Sequence, residues 1–353
     1  MAGTVLVTGG FGLVGSATVK RLTDLGRDVV ATDLDTAANR RAAARLPGGA
    51  QARWADLTDR DQAEHLVADV APEAIIHLAA IIPPAIYRNP KLARRVNVDA
   101  TKTLVGIAEA QPRPPRWVQA SSNAVFGARN PHRFTAPLRA DEPMKASDLY
   151  SAHKIEAEQA VRASSLPWVV LRLGGVLSVD PAAMPFTADA LFFESALPSD
   201  NHMHSVDVRD VAWAFAAATT ADVVGEILLI AGDDSHKIAY GDVGGALAGA
   251  RGLNGLPKGR VGNADSDDDW FVTEWMDTAR AQEALQFQHH SWDDMLAEMR
   301  ANAGWTRHLL PPFAPLVRAI LTRRGAYWKQ PGQYADPWGA IRRKLGEPGP
   351  DTP

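Results

Sequence analysis

The sequence of 353 residues contains no cysteine. That absence excludes disulfides, iron–sulfur clusters, thiolate zinc and a cysteine nucleophile together. Basic charge is not in excess either: 37 Lys and Arg against 41 Asp and Glu leave a net charge of −4. A nucleic-acid-binding protein of uniformly basic surface is therefore disfavoured, and no nucleic-acid partner is expected. Long apolar runs are missing as well. The longest, from Val211 to Gly232, is cut by Asp222 and Glu226, and a membrane-spanning helix needs roughly 18 apolar residues. Nor does the chain open on a basic and apolar leader, because Thr4-Val5-Leu6-Val7-Thr8 runs straight into glycines. These absences leave a globular protein of one large or two smaller domains, long enough to bury a core without staples; any compartment is permitted, and a cytoplasmic one is the expectation.

What is present is an alternation of short β-rich runs with helical stretches. Thr4–Thr8, Asp28–Thr32, Ala50–Trp54, Ala74–Leu78, Arg116–Ala120 and Trp168–Arg172 read as strands. Between the first two, Val14, Thr18, Leu22 and Leu25 recur at helical spacing, and Gly26 closes that helix. Mostly apolar strands in repeated β–α units imply an α/β fold, a doubly wound parallel sheet of the Rossmann type. After Arg172 the pattern loosens, with a helix from about Asp207 and a strand from Glu226 to Ala231. The expected organisation is a nucleotide-binding core over residues 1–175, an interleaved substrate-side region over 176–302, and an extension over 303–353.

The sharpest motif is Gly9-Gly10-Phe11-Gly12-Leu13-Val14-Gly15, directly after the first strand. Glycines at this place allow a tight turn and close approach of backbone to a pyrophosphate, whose charge the next helix receives at its N-terminal amides. Asp33 ends the second strand, about 20 residues on, where a carboxylate accepts from a ribose 2′-hydroxyl and repels a 2′-phosphate. NAD is favoured over NADP, although Arg40 and Arg41 stand close enough in sequence to reach a phosphate if the loop folds back. Further on, Tyr150 and Lys154 lie one helical turn apart. A neighbouring ammonium stabilises a phenolate, which would lower the Tyr150 pKa toward neutrality and make it an acid and base. Upstream, Ser121-Ser122-Asn123-Ala124-Val125-Phe126-Gly127 follows the fifth strand, at the edge where such sheets bind ligands.

With these motifs in hand, together with Asp56-Leu57, His77-Leu78-Ala79-Ala80 and Asn97-Val98, the chain resembles the extended short-chain dehydrogenase/reductases, the NAD-dependent epimerase/dehydratase family, over roughly residues 3–300. The resemblance implies a role for each residue. Gly9, Gly12 and Gly15 would hold the pyrophosphate, with backbone amides from Phe11 and Leu13. Asp33 would bind the adenosine ribose, Asp56 and Leu57 the adenine, and Ala79 and Ala80 would line the cofactor channel. Tyr150 would be the general acid and base, Lys154 would hold the nicotinamide ribose and tune Tyr150, and Ser122 would hydrogen-bond the reacting oxygen. Asn97 fits either a functional role or a structural one. A homodimer through the helices carrying Asn97 and Tyr150 is implied as well.

Departures from the family pattern narrow the chemistry. The relatives that dehydrate sugars carry Asp-Glu where this chain has Asn123 and Ala124, so elimination lacks its acid and base. Relatives that epimerise beside a ketone with a cysteine are excluded. Hydride transfer at a secondary alcohol or ketone remains, with 4-epimerisation of a nucleotide sugar by transient oxidation as the alternative. A non-catalytic NAD-binding module is the third reading. Gly175 stands where nucleotide-sugar enzymes carry an Asn, and no Arg stands near Met203, so a diphosphate would lose its usual partners. Ile81-Ile82-Pro83-Pro84, Met184-Pro185-Phe186 and Leu191-Phe192-Phe193 are apolar where substrate would lie. These side chains fit the core equally well. The candidate substrate contacts are Ile81, Asn123, Gly175, Met184 and Phe186, for an apolar or lipid-like small molecule.

No metal site is expected, because His202 and His204 have no evident third ligand and the Asp265–Asp269 run lacks the glycine and distal Glu of a calcium loop. Asp207 and Asp210 read as a helix cap and a dipole complement; Asp277 with Thr278, and Ser291, read as caps. Charge is uneven along the chain. From Trp305 onward eight Lys and Arg face three acids, a net +5, so the rest of the chain carries −9. The stretch Leu309-Leu310-Pro311-Pro312-Phe313, with Leu316-Val317 and Arg323-Arg324, mixes apolar, aromatic and basic residues. Such an extension can strap across its own domain or a dimer mate, or lie peripherally on an anionic membrane.

Overall fold

The strands seen in sequence build one twisted parallel sheet. In the computed structural model, which describes residues 3–180, 183 and 187–351, ten strands are placed. They are β1 (Val5–Thr8), β2 (Val29–Asp33), β3 (Ala50–Trp54), β4 (Ala74–His77), β5 (Arg116–Ser122), β6 (Trp168–Leu173), β7 (Gly175–Leu177), β8 (His202–Asp207), β9 (Ile227–Ile230) and β10 (Lys237–Ala239). Seven form the main sheet in the order β3-β2-β1-β4-β5-β6-β9, every neighbour pair parallel. The order reverses between β1 and β4, which opens a crevice at the carboxyl ends of those strands. The smaller sheet β10-β8-β7 stands beside it, joined through Gly174, whose missing side chain lets the His204 carbonyl approach.

Period-two alternation sends successive residues of each strand into opposite layers. Val5, Val7, Val29, Ala31, Ile76 and Leu171 pack on one face with Leu22 and Phe215. Leu6, Val30, Ile75 and Val170 pack on the other with Leu104 and Trp117. Because both faces are covered, the strands read as nearly unbroken apolar runs. The helix Leu13–Asp24 ends at Leu25, and Gly26, at φ +72°, makes the left-handed turn that closes it.

Ser291 caps the helix Trp292–Ala303 in a reciprocal box with Asp294, and Asp277 Oδ1 accepts from the Ala279 amide. Asp207 caps the helix Val208–Ala218. Asp210 does more than complement its dipole. Buried, it accepts from the His289 and His290 amides at 3.0 Å each and pairs with His290 Nδ1 at 2.6 Å, so it ties the segment leading into the helix Trp292–Ala303 to the helix Val208–Ala218. Among the described residues no helix is long and apolar enough to cross a membrane.

The extension behaves as two different segments. Residues 304–324, two short 3-10 turns and the helix Ala314–Arg324, bury only Ala314. Residues 326–351 strap back over the molecule. Tyr327 donates to the Ala196 carbonyl at 2.6 Å, Arg260 holds the carbonyls of Gln330 and Pro331, and Trp338 donates to the Asp268 carbonyl. The helix Pro337–Lys344 buries Ala340 and Ile341 against Ile86, Tyr87, Phe192 and Phe193. Its end reaches the helix Leu149–Arg162, where the Leu149 amide donates to the Pro348 carbonyl and Asp351 accepts from Arg94 and His153.

Candidate active site

The glycine turn sits at the carboxyl end of β1, inside the crevice. Gly9 adopts φ +63°, and a Cβ there would lie 2.9 Å from the Ala79 amide nitrogen. A Cβ on Gly15 would lie 2.1 Å from the Gly9 carbonyl oxygen, so only glycine lets the helix Leu13–Asp24 start this close to the turn. Gly12, at the N-cap, brings no side chain to the first-turn amides. Phe11 leans on Trp54 with ring centroids 5.3 Å apart. The cradle is bare backbone, the surface a pyrophosphate needs.

Asp33 closes β2 and spends one oxygen on the Leu34 amide at 2.8 Å. Arg40 is held at 2.5 and 2.6 Å by both oxygens of Asp35, whose carboxyl it keeps below the usual range. The nearby arginine thus already has a carboxylate partner. Asp56 accepts from the Thr58 amide and hydroxyl, while Leu57 packs against the core.

Below the crevice floor, His77 is sandwiched between Thr8 and Thr101, with Nδ1 2.8 Å and Nε2 2.9 Å from their hydroxyls. Burial, then the Lys154 charge, push its pKa down to about 3, so the ring is neutral. Thr8 Oγ1 also accepts from the Leu78 and Ala79 amides, fixing the loop that carries Ala79 and Ala80. Asn97 completes the loop from the other side. It lies in a π-helical turn, Arg95–Asp99, accepts from the Ile81 amide at 2.7 Å and donates to the Ile81 carbonyl at 2.8 Å. The two bonds set the backbone of Ile81.

Ser122, Tyr150 and Lys154 meet where β5 ends. Asp148 caps the helix Leu149–Arg162 in a capping box with Ser151 and accepts from the Tyr87 hydroxyl at 2.7 Å. These contacts at that N-terminus fix where Tyr150 starts. Ser122 Oγ accepts from the Ala124 amide at 3.1 Å and hydrogen-bonds Tyr150. Lys154 Nζ donates to the Ala120 carbonyl at 2.9 Å and stands 5.8 Å from the Tyr150 ring centroid. One turn further, Glu158 pairs with Arg172 at 2.7 and 2.9 Å and accepts from Ser121.

Tyr150 is shifted the opposite way from what its spacing to Lys154 predicts. Burial raises the phenol well above its usual value, with the Ser122 hydrogen bond opposing and Asp148 adding to the rise. Burial also brings Lys154 down to about 8, against the pull of Glu158. Desolvation outweighs the ammonium, which is engaged with the Ala120 carbonyl.

Asn123 is buried beside Ser122, and its Nδ2 has no partner. An orphaned buried donor is costly and marks a place where a ligand oxygen would be received. Next to the site, Ile81, Tyr150 and Trp338 pack around a buried cluster containing Phe192, Phe193 and Ile341. The Met203 methyl lies 2.2 Å from where a Cβ on Gly175 would be, so a side chain there would have to displace it. Met184 and Phe186 lie outside the described residues.

His202 is drawn to Glu274 at 2.6 Å and stacks on Trp275, whereas His204 bonds to the Gly232 carbonyl and the Met276 amide. Asp267 pairs with Arg133. Thr101, Tyr87 and the Glu158–Arg172 pair were not singled out from the sequence. Glu158 was visible as the third member of an i, i+4, i+8 series with Tyr150 and Lys154; Arg172 carried no local signal.

The model of the NAD dependent epimerase/dehydratase family matches residues 5–231. A UDP-glucose 4-epimerase of Azospirillum brasilense is 33% identical over 183 residues, 50% of each chain. Methionine adenosyltransferase 2 subunit beta of Bos taurus is 29% identical over 216 residues, 59% of each chain. The chain thus spans about half the length of the curated relatives it matches. Among solved structures, a UDP-glucose 4-epimerase of Thermus thermophilus in complex with NAD superposes with a TM-score of 0.67 at 22% identity, covering 85% of this chain and 98% of that one. At that identity the likeness is one of fold.

Proposed function

Because the chain belongs to the NAD dependent epimerase/dehydratase family, we propose that it is an NAD-dependent oxidoreductase acting on a secondary alcohol or ketone of apolar character. The observation that carries this reading is the meeting of Ser122, Tyr150 and Lys154 at the end of β5, in the same crevice as a glycine cradle that a Cβ would fill. The bare turn at Gly9, Gly12 and Gly15, with the Phe11 and Leu13 amides, fits the pyrophosphate of NAD. Asp33 is assigned to the adenosine ribose, Asp56 and Leu57 to the adenine, and Ala79 and Ala80 to the channel wall. The Asp35 clamp on Arg40 supports NAD over NADP, since it offsets the charge a 2′-phosphate would seek.

When bound, NAD supplies the hydride donor and acceptor. The chain's own groups handle the oxygen. As a ketone is reduced, Tyr150 Oη gives its proton to the carbonyl oxygen while Ser122 Oγ holds that oxygen in place. Lys154 steadies the phenolate left behind, and Tyr150 recovers its proton from solvent. Burial that holds the phenol protonated suits the reducing direction. Asn123 Nδ2 offers a second donor to a substrate oxygen, and the Ile81 and Phe192 side supplies an apolar wall.

A nucleotide-sugar 4-epimerase is the second reading, favoured by the names of relatives and disfavoured by the methionine packed against Gly175. The relative named as a subunit of methionine adenosyltransferase keeps a binding module in view. We also assign cofactor binding to residues 1–175, the substrate side to 176–302 and a separate role to the extension, with a homodimer through the helical segments carrying Asn97 (Arg95–Asp99, running into Ala100–Glu109) and Tyr150 (Leu149–Arg162). The test is NADH consumption by wild type and Tyr150→Phe against apolar cyclic ketones and UDP-4-ketohexose. A loss of about 10²–10⁴-fold on an apolar ketone is expected; equal rates for the two proteins would overturn the role of Tyr150.

A further inference from the structure

Exposed apolar residues are concentrated in one place. Of the thirteen large hydrophobic side chains exposed among the described residues, seven lie between Trp305 and Tyr334, and Trp305, Leu316 and Phe313 are 71%, 61% and 56% accessible. Phe313, at the N-cap of the helix Ala314–Arg324, is followed by Leu316 and Ile320 at spacings that share one face. The same face continues onto Arg323 and Arg324, seven residues after Leu316 and four after Ile320. Trp305 and Leu309 stand bare in the segment just before. An apolar stripe of this kind, left uncovered by its own chain, marks an interaction surface.

The charges beside it say what covers it. Among the described residues, Arg318, Arg323, Arg324 and Lys329 make no ion pair, and whereas exposed unpaired cations of the body such as Lys91, Arg113 and Arg162 are scattered, these follow one another within twelve residues beside the stripe. The unpaired cations belong to a segment of net +5 on a body of net −9. A second copy docking through the same face, in the two-fold manner of most dimers, would bring like charges together. An anionic lipid surface matches it. Exposed Trp and Phe suit headgroup depth, Leu316 and Ile320 can enter the acyl boundary, and the Arg heads can reach lipid phosphates.

We propose that residues 305–324 form a peripheral docking surface for an anionic membrane. The strap that follows is anchored through Tyr327, Trp338 and Asp351, so the docked segment is fixed to the wall of the crevice. The surface is separate from Tyr150 and the glycine turn, and its occupancy does not depend on the reaction.

The test is co-sedimentation of the full chain with vesicles of phosphatidylcholine alone and of phosphatidylcholine with one third phosphatidylglycerol. Wild type is expected to bind the anionic vesicles and to be released by salt. Leu316→Ser with Phe313→Ser, and separately Arg323→Glu with Arg324→Glu, should each weaken binding by about tenfold or more. Thermal unfolding and NAD binding check that the variants are folded; both changes sit on exposed residues. Absence of vesicle binding by wild type, or equal binding by both variants, overturns the proposal. So does a dimer that the serine variant dissociates while vesicles go unbound, because a second copy then covers the stripe.

Discussion

The two walls of the crevice are built on opposite principles. On the cofactor wall polar groups are answered one by one: His77 lies between two threonines, Asn97 grips Ile81, Lys154 holds the Ala120 carbonyl, and Glu158 closes on Arg172. On the other wall Phe192, Phe193 and Ile341 form an apolar cluster, with Lys344 over the Phe192 ring and part of the surface brought by the C-terminal strap from far along the chain. Close polar geometry leaves little tolerance for substitution, whereas an apolar wall can be repacked. On the proposed reading the first wall sets the chemistry and the second sets what is brought to it.

The largest effect should come from breaking the cofactor wall at its tightest point. Gly15→Ala places a methyl 2.1 Å from a backbone oxygen, and the helix must shift off the turn. NAD binding measured by calorimetry should weaken by more than about 100-fold, while retained affinity would mean that the cofactor does not use this cradle.

Next in size is acid sensitivity. His77 titrates near 3 when folded and about 6.5 when unfolded. Across that window the unfolded chain binds the extra proton, so stability rises with pH and is lost as pH falls from 6.5 toward 3. Full protonation of the unfolded chain against a neutral folded ring costs up to about 5 kcal/mol of stability on acidification. Urea unfolding should show this slope in wild type and a flatter one in His77→Gln. The smallest effect belongs to the apolar wall. Trp338→Ala should raise KM for an apolar ketone by about tenfold, from lost contact area, and leave NAD affinity alone. A change in NAD affinity would mean that the two walls are not separable.

The sheet was legible because its central strands are covered on both faces: Val5-Leu6-Val7 or Ala74-Ile75-Ile76 needs no partner to be read, whereas the edge strand β3 alternates half-buried and exposed residues. Gly9, Gly15, Tyr150 and Lys154 were legible because their spacing is local. Asn97, Thr101 and Arg172 act across distances in the chain that leave no periodic trace, and their partners emerge only once β4, β5 and β6 are side by side. The Tyr150 pKa was misjudged for a related reason. Spacing reveals the ammonium but not how deeply the phenol is buried. The extension could not be divided by composition, since its docked and bare halves are both basic and aromatic, and what separates them is whether Ile341 and Phe313 find a partner.

The central claim is net hydride transfer to an apolar ketone with Tyr150 as the proton donor. The direct measurement uses NADH deuterated at the transferable C4 position, with mass spectrometry of the product alcohol from wild type and Tyr150→Phe. Deuterium is expected on the carbinol carbon with wild type and almost none with the variant. Deuterium-free epimerisation of UDP-glucose, with no label entering any ketone, would contradict it.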